Sequence, residues 1–160
     1  RVSKLILVDA AGFPLNSTSV PIGFQIARMP ALATLMSKVL PRPMIESSLR
    51  NVYGNPDLVT PQLIERYYEL SLRAGNRAAL IQRFSQRDDP TLNQARISQL
   101  SVPTLILWGG RDRLIPPANA ELFRAAIQGS QLQMFDMLGH VPQEEDPAST
   151  VAAVEAFLPQ

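Results

Sequence analysis

The sequence predicts an α/β fold: a small parallel sheet with flanking helices, interrupted by a long all-helical insertion. Three observations predict it. Apolar runs at residues 5–8 and 104–108 are too short for helices, and each ends in a glycine-bearing turn, the mark of strands buried in a parallel sheet. A third segment, residues 131–135, follows the second after one amphipathic helix, and another helix closes the chain, so strand and helix alternate. Between the first two strands, residues 15–95 carry helical spacing and proline punctuation with no convincing strand.

Composition narrows the function classes. With 46% hydrophobic and 18% charged residues the chain of 160 residues is globular, long enough for one domain or for a core with an insertion. Fifteen basic residues against fourteen acidic ones, spread without a basic block, leave a net charge of +1 and argue against a nucleic-acid partner. The absence of cysteine removes disulfides, a thiol nucleophile and thiolate metal ligation, and a single histidine argues against a histidine-rich metal site. No cofactor or metal is therefore expected. No apolar stretch reaches the ~20 residues of a membrane span, and no signal peptide is visible, so the expected location is cytoplasmic. The chain opens on Arg1-Val-Ser-Lys with no initiator methionine and enters a strand at once, so the protein's N-terminus is expected elsewhere.

In order, Leu5-Ile-Leu-Val is the first strand, closed by Asp9-Ala-Ala-Gly12-Phe-Pro14. Residues 21–29 and 31–40 are helix-compatible and are punctuated by Pro30 and Pro41, and a further helix is expected over 43–53. Thr60-Pro61 reads as an N-cap with proline in the first turn. The helix it opens sets Leu63, Ile64, Tyr67, Tyr68 and Leu72 on one face and ends near Gly75. Asn76 opens another, and Asp88-Asp-Pro90 closes the region. Tyr53, Tyr67, Tyr68 and Phe84 are read first as packing aromatics of these helices, one or two of them being candidates to line a substrate pocket. After the strand at 104–108, a helix starts at Pro116 and stops at Gly129. The strand at 131–135 leads to the His140 loop, and residues 147–158 form the last helix.

The chemistry sits at two strand ends. Ligands of open α/β sheets bind beyond the carboxyl ends of the strands, and both Asp112 and His140 follow strands directly. A carboxylate on one imidazole nitrogen fixes the tautomer and stabilises the imidazolium, leaving the other nitrogen to take a proton. Either residue alone has a plainer reading, Asp112 as a turn cap and His140 as a structural histidine. Together, in this order and spacing, they read as an acid and a base.

Val102-Pro-Thr-Leu-Ile-Leu-Trp-Gly-Gly-Arg-Asp112-Arg-Leu-Ile-Pro116, followed by Gly139-His140-Val-Pro-Gln-Glu-Glu-Asp-Pro147, resembles the C-terminal part of an α/β-hydrolase. Leu5-Ile-Leu-Val-Asp9-Ala-Ala-Gly is similar to that family's sixth strand, and the helical stretch lies where the family inserts a cap. The resemblance implies a partial core over 1–14 and 96–160, a helical cap over 15–95, Asp112 as triad acid and His140 as general base. Some members place the acid after the sixth strand, which makes Asp9 the alternative acid. Glu144 and Glu145 are expected to play a structural part at the start of the final helix.

The family's nucleophile stands in a Gly-x-Ser-x-Gly elbow before the sixth strand, and no such pentapeptide occurs among the 160 residues. Ser3, Ser17, Ser19, Ser47, Ser48, Ser98 and Ser101 all lack the strand–elbow–helix context. The expectation is thus a C-terminal fragment of a serine-type hydrolase acting on esters or carbon–carbon bonds of small hydrophobic substrates, inactive without its N-terminal half. An aspartate at the elbow would instead make it an epoxide hydrolase or dehalogenase type. A third alternative is a non-catalytic module that self-associates through the open edge of the first strand.

Overall fold

The computed structural model describes residues 2–14, 16–27, 29, 39–85 and 90–158. Strands β1 (Leu5–Val8), β2 (Thr104–Gly109) and β3 (Gln131–Phe135) form a parallel sheet in the order β1-β2-β3. Leu5 is paired with Thr104, and Leu105 with Gln131. Consecutive strands in the sheet run the same way because a helical crossover separates each pair.

The central strand explains where the core lies. All six residues of β2 are buried, and their side chains alternate between the two faces of the sheet. Ile106 and Trp108 pack on one face with Ile115, Ala120, Phe123 and Ile127, which brings helix α6 (Ala118–Ala126) against the strand. Leu105 and Leu107 pack on the other with Phe157, from helix α8 (Pro147–Phe157). Trp108 is wholly enclosed, and its indole N–H donates to the carbonyl of Ile115 at 3.1 Å. That bond draws the chain after Asp112 back across the sheet face.

One expectation needs correction. The apolar run of β1 predicts burial on both faces, but its residues are only partly covered and Val8 is 37% exposed. Among the described residues β1 pairs with β2 alone, so nothing described covers its second edge. An apolar run reports what a strand is suited to, not what is present to cover it.

Between β1 and β2 the described elements are all helical: α1 (Ile22–Ala27), α2 (Arg42–Val52), a short 3₁₀ turn (Pro56–Leu58), α3 (Pro61–Leu72), α4 (Asn76–Ser85) and α5 (Pro90–Ile97). Thr60 caps α3 as its sequence predicts, its hydroxyl oxygen accepting from the Leu63 amide at 3.2 Å with Pro61 in the first turn. Leu49, Tyr53 and Val59 form a small buried centre of their own, joined by Leu63, Ile64, Tyr67 and Val141. Val141 belongs to the histidine loop, so this centre is shared between the helices and the loops at the carboxyl ends of the strands. Most of the helix expected over 31–40 and the Asp88-Asp89 pair lie outside the described residues. Pro90, read as a stop, instead begins α5, since proline is as well suited to the first turn of a helix as to its end. No helix among the described residues is long and apolar enough to cross a membrane.

Candidate active site

The loops after β2 and β3 are pressed together, and glycine makes that possible. A Cβ on Gly109 would strike the Gly139 carbonyl, and one on Gly110 would come within 2.8 Å of the Asp136 backbone. At this spacing backbone bonds join the two loops: the Gly110 amide donates to Phe135 at 2.8 Å and the Arg111 amide to Leu138 at 2.8 Å. The glycine pair that ends the β2 run is therefore the condition for bringing Asp112 beside His140.

Asp112 is fully enclosed and held from both sides. Its Oδ1 accepts from the amides of Leu114 (2.8 Å) and Ile115 (2.9 Å), which fixes the carboxylate's plane. Its Oδ2 meets His140 Nδ1 at 2.7 Å, with side-chain exposures of 0% for Asp112 and 23% for His140. An ionised carboxylate only accepts, so Nδ1 carries the proton and Nε2 presents its lone pair. Burial acts to lower the imidazole's pKa, but the hydrogen bond to Asp112 and the charge of that carboxylate raise it, and the balance lies above the usual histidine value.

Asp9 is the residue whose place the sequence reading left open. It follows β1, is 4% exposed and adopts a φ of 41°. Its Oδ1 accepts from the Gly109 amide at 2.9 Å, tying the ends of β1 and β2 together. Asp9, Asp112 and His140 each bring one ligand-type atom within 4.8 Å of the others. The three have the donor types to hold a cation, but in the described arrangement the Asp112–His140 bond already uses Nδ1 and Oδ2.

Glu144 and Glu145 correct a second expectation. They belong to their own short helix α7 (Pro142–Glu145), and α8 is capped by Asp146, whose side chain accepts from the Ser149 amide at 3.0 Å. Glu145 receives the amides of Gly54 (2.9 Å), Asn55 (3.1 Å) and Gly139 (2.6 Å). Glu144 receives the hydroxyls of Tyr53 (3.0 Å) and Tyr67 (2.8 Å). Burial, and then these bonds, push both phenols well above the ordinary tyrosine range. The His140 amide donates to the Val52 carbonyl at 2.8 Å, and Arg113 reaches the carbonyls of Arg50 (3.0 Å) and Tyr53 (3.3 Å). The acid and histidine loops are thus both bolted to the end of α2. Sequence reasoning missed these ties, and the only signal was two adjacent glutamates beside the histidine.

Tyr53 and Tyr67 serve that clamp as packing residues with anchored hydroxyls, and Tyr68 lies under the Arg42 guanidinium, 4.6 Å from its ring centre. The side chain of Phe84 lies outside the described set. Of the candidate serines, Ser17 donates to Leu114, Ser19 accepts from Asn51, Ser48 donates to Met44 and Ser98 to Ala95. The Ser48 and Ser98 bonds stay within their own helical turns, whereas those of Ser17 and Ser19 tie distant segments together. A cavity of about 220 Å³ is lined by Ala11, Gly12, Arg83, Asn93, Arg96 and Ile97, and none of Asp9, Asp112 and His140 lines it.

Known proteins share this arrangement of elements. Lipase 3 of Moraxella sp. (strain TA144) is 28% identical over 98% of this chain and 48% of its own length. The 2-hydroxymuconate semialdehyde hydrolase of Pseudomonas putida is 31% identical over 99% of this chain and 54% of its own. Among solved structures, a meta-cleavage product hydrolase from Pseudomonas fluorescens IP01 superposes with a TM-score of 0.73 at 21% identity, over 98% of this chain and 56% of that one. A thermophilic esterase from Thermogutta terrifontis gives a TM-score of 0.72 at 24% identity, over 97% and 55%. The chain spans about half the length of these relatives. The model of the alpha/beta hydrolase fold matches residues 1–147, and on that match the chain belongs to the α/β-hydrolase fold family.

Proposed function

We propose that these residues supply the acid and the base of a serine-type α/β-hydrolase that cleaves esters or carbon–carbon bonds of small organic substrates. In this reading, residues 1–14 and 96–160 are part of the catalytic core and the helices of 15–95 are a cap over the substrate. The observation that carries it is the 2.7 Å contact between Asp112 Oδ2 and His140 Nδ1, with Asp112 braced by two backbone amides. His140 Nε2 takes the proton of the attacking hydroxyl and returns it to the leaving group, while Asp112 holds the tautomer and stabilises the imidazolium. The similarity to a lipase and to a 2-hydroxymuconate semialdehyde hydrolase supports this substrate class.

The nucleophile and the oxyanion donors lie outside residues 1–160 in this reading, because no elbow pentapeptide occurs within them. Two outcomes test it. In the full-length protein, a fluorophosphonate should modify one serine outside this stretch, whereas modification of a serine within it would overturn the assignment. Residues 1–160 alone should not hydrolyse short p-nitrophenyl esters, and turnover abolished by His140→Ala would contradict the reading. An alkyl ester trapped on an aspartate of the full-length protein would replace the serine mechanism by the epoxide-hydrolase or dehalogenase type.

A further inference from the structure

The buried group that this mechanism leaves unused is Asp9. Its Oδ1 has one donor, the Gly109 amide, and its Oδ2 is buried with no hydrogen-bond partner among the described residues. A bare carboxylate oxygen in that position is costly, because nothing replaces the water it has lost. Its neighbour is differently placed: Asp112 accepts three hydrogen bonds, from two amides and from His140, the surroundings of an ionised carboxylate. With an oxygen of each carboxyl group inside the same 4.8 Å cluster, ionising both would set two like charges together in a dry site.

One proton resolves both problems. We propose that Asp9 is a positioning residue of the acid–base pair: a carboxyl group that stays protonated at neutral pH and donates its Oδ2–H to the Asp112 carboxylate. This inference rests on the reading of Asp112 and His140 as acid and base. The hydrogen bond satisfies the orphaned oxygen, removes the repulsion and adds a further donor that holds Asp112 toward Nδ1. It also draws charge from Asp112, so that ionisation of Asp9 changes how strongly Asp112 supports the imidazolium.

Three features agree with it. Burial, joined by the charge and hydrogen bond of Asp112, pushes the Asp9 carboxyl up to about 8, against the lowering effects of the Gly109 amide and His140. Asp112 and His140 are the titratable groups acting on it. The left-handed φ of 41° is a conformation that aspartate and asparagine adopt more readily than other side chains, and such strained residues gather at active sites. Asp9 therefore accompanies Asp112 and does not replace it as the acid.

The test is a carboxyl titration of the full-length protein labelled with ¹³C-aspartate, the Asp9 signal being identified by its loss in Asp9→Asn. It is read without substrate, so it stands whether or not the hydrolase reading does. The Asp9 carbon is expected to stay protonated through neutrality and to titrate only above roughly pH 7, whereas titration near the ordinary value of about 4 would overturn the proposal. Activity supplies the second reading. Asparagine keeps an acceptor for Gly109 and a donor for Asp112, so Asp9→Asn should hold kcat within roughly 3-fold near pH 7 and lose the alkaline inflection of the wild type. Asp9→Ala, lacking both groups, should lower kcat by roughly 10-fold or more with little change in KM. Equal losses in the two variants with an unchanged pH profile would mean a merely structural residue and would also overturn the proposal.

Discussion

Replacing Asp112 by asparagine in the full-length protein should lower kcat by about 10⁴-fold while leaving the fold intact. The asparagine oxygen can keep the amides of Leu114 and Ile115, now held at 2.8 and 2.9 Å, so the loop has no reason to move. Its amide nitrogen then faces His140 Nδ1, where Oδ2 stands at 2.7 Å. A donor there demands the other tautomer, with the proton on Nε2, and a protonated Nε2 cannot accept from a nucleophile. The pH profile should change with it. The hydrogen bond to Asp112 and the charge of that carboxylate raise the imidazole, which lies above its usual value, so the wild-type rate should climb with pH through a midpoint above about 6.5. In Asp112→Asn that limb should move to lower pH. Circular dichroism and a pH series of kcat/KM are the measurements, and an unfolded variant or an unmoved limb would count against the account.

Glu145→Ala should be the most damaging change at the clamp. Its carboxylate accepts from three backbone amides, those of Gly54 and Asn55, about ninety residues before it, and that of Gly139 in the histidine loop. Bonds from backbone N–H groups to a charged acceptor are worth more than neutral ones, and each amide left unpaired costs in addition. Because part of this site is open to water, a loss of about 3 kcal/mol is expected, or a fall in Tm of about 6–12 °C for a domain of this size. Water cannot simply fill in at Gly139. A Cβ there would already collide with the Val52 carbonyl and the Gly54 amide, so the segments are in direct contact. With the clamp gone, the His140 loop loses its register on α2 and kcat should fall together with stability. Tyr53→Phe, which removes one neutral donor from Glu144, should cost only about 1 kcal/mol, and thermal melts of the two variants separate these sizes.

The parts of this molecule legible in the sequence are those encoded by neighbours in the chain. The three strands, the Thr60-Pro61 cap and the strand-end positions of Asp112 and His140 all follow from local runs and turns, and the structure agrees with each. Ties between distant segments were not legible. Glu145 meets Gly54 and Glu144 meets Tyr53 because a loop after β3 happens to lie on the end of α2, and no spacing rule carries that information. The case of Asp9 lies between the two. Its place after a strand was visible, but a choice between Asp9 and Asp112 as the acid presumes that only one can be there. Parallel strands β1 and β2 deliver both to one cluster, and the question becomes which of the two is ionised.

The central claim is that His140 is the base of a hydrolytic reaction and that Asp112 sets its state. Its most direct test is the hydrolysis of p-nitrophenyl butyrate by the full-length protein, with His140→Ala beside the wild type at one pH. The account predicts esterase turnover in the wild type and a loss of about 10³- to 10⁶-fold in kcat in the variant. A variant that keeps its turnover within about tenfold of the wild type would contradict it.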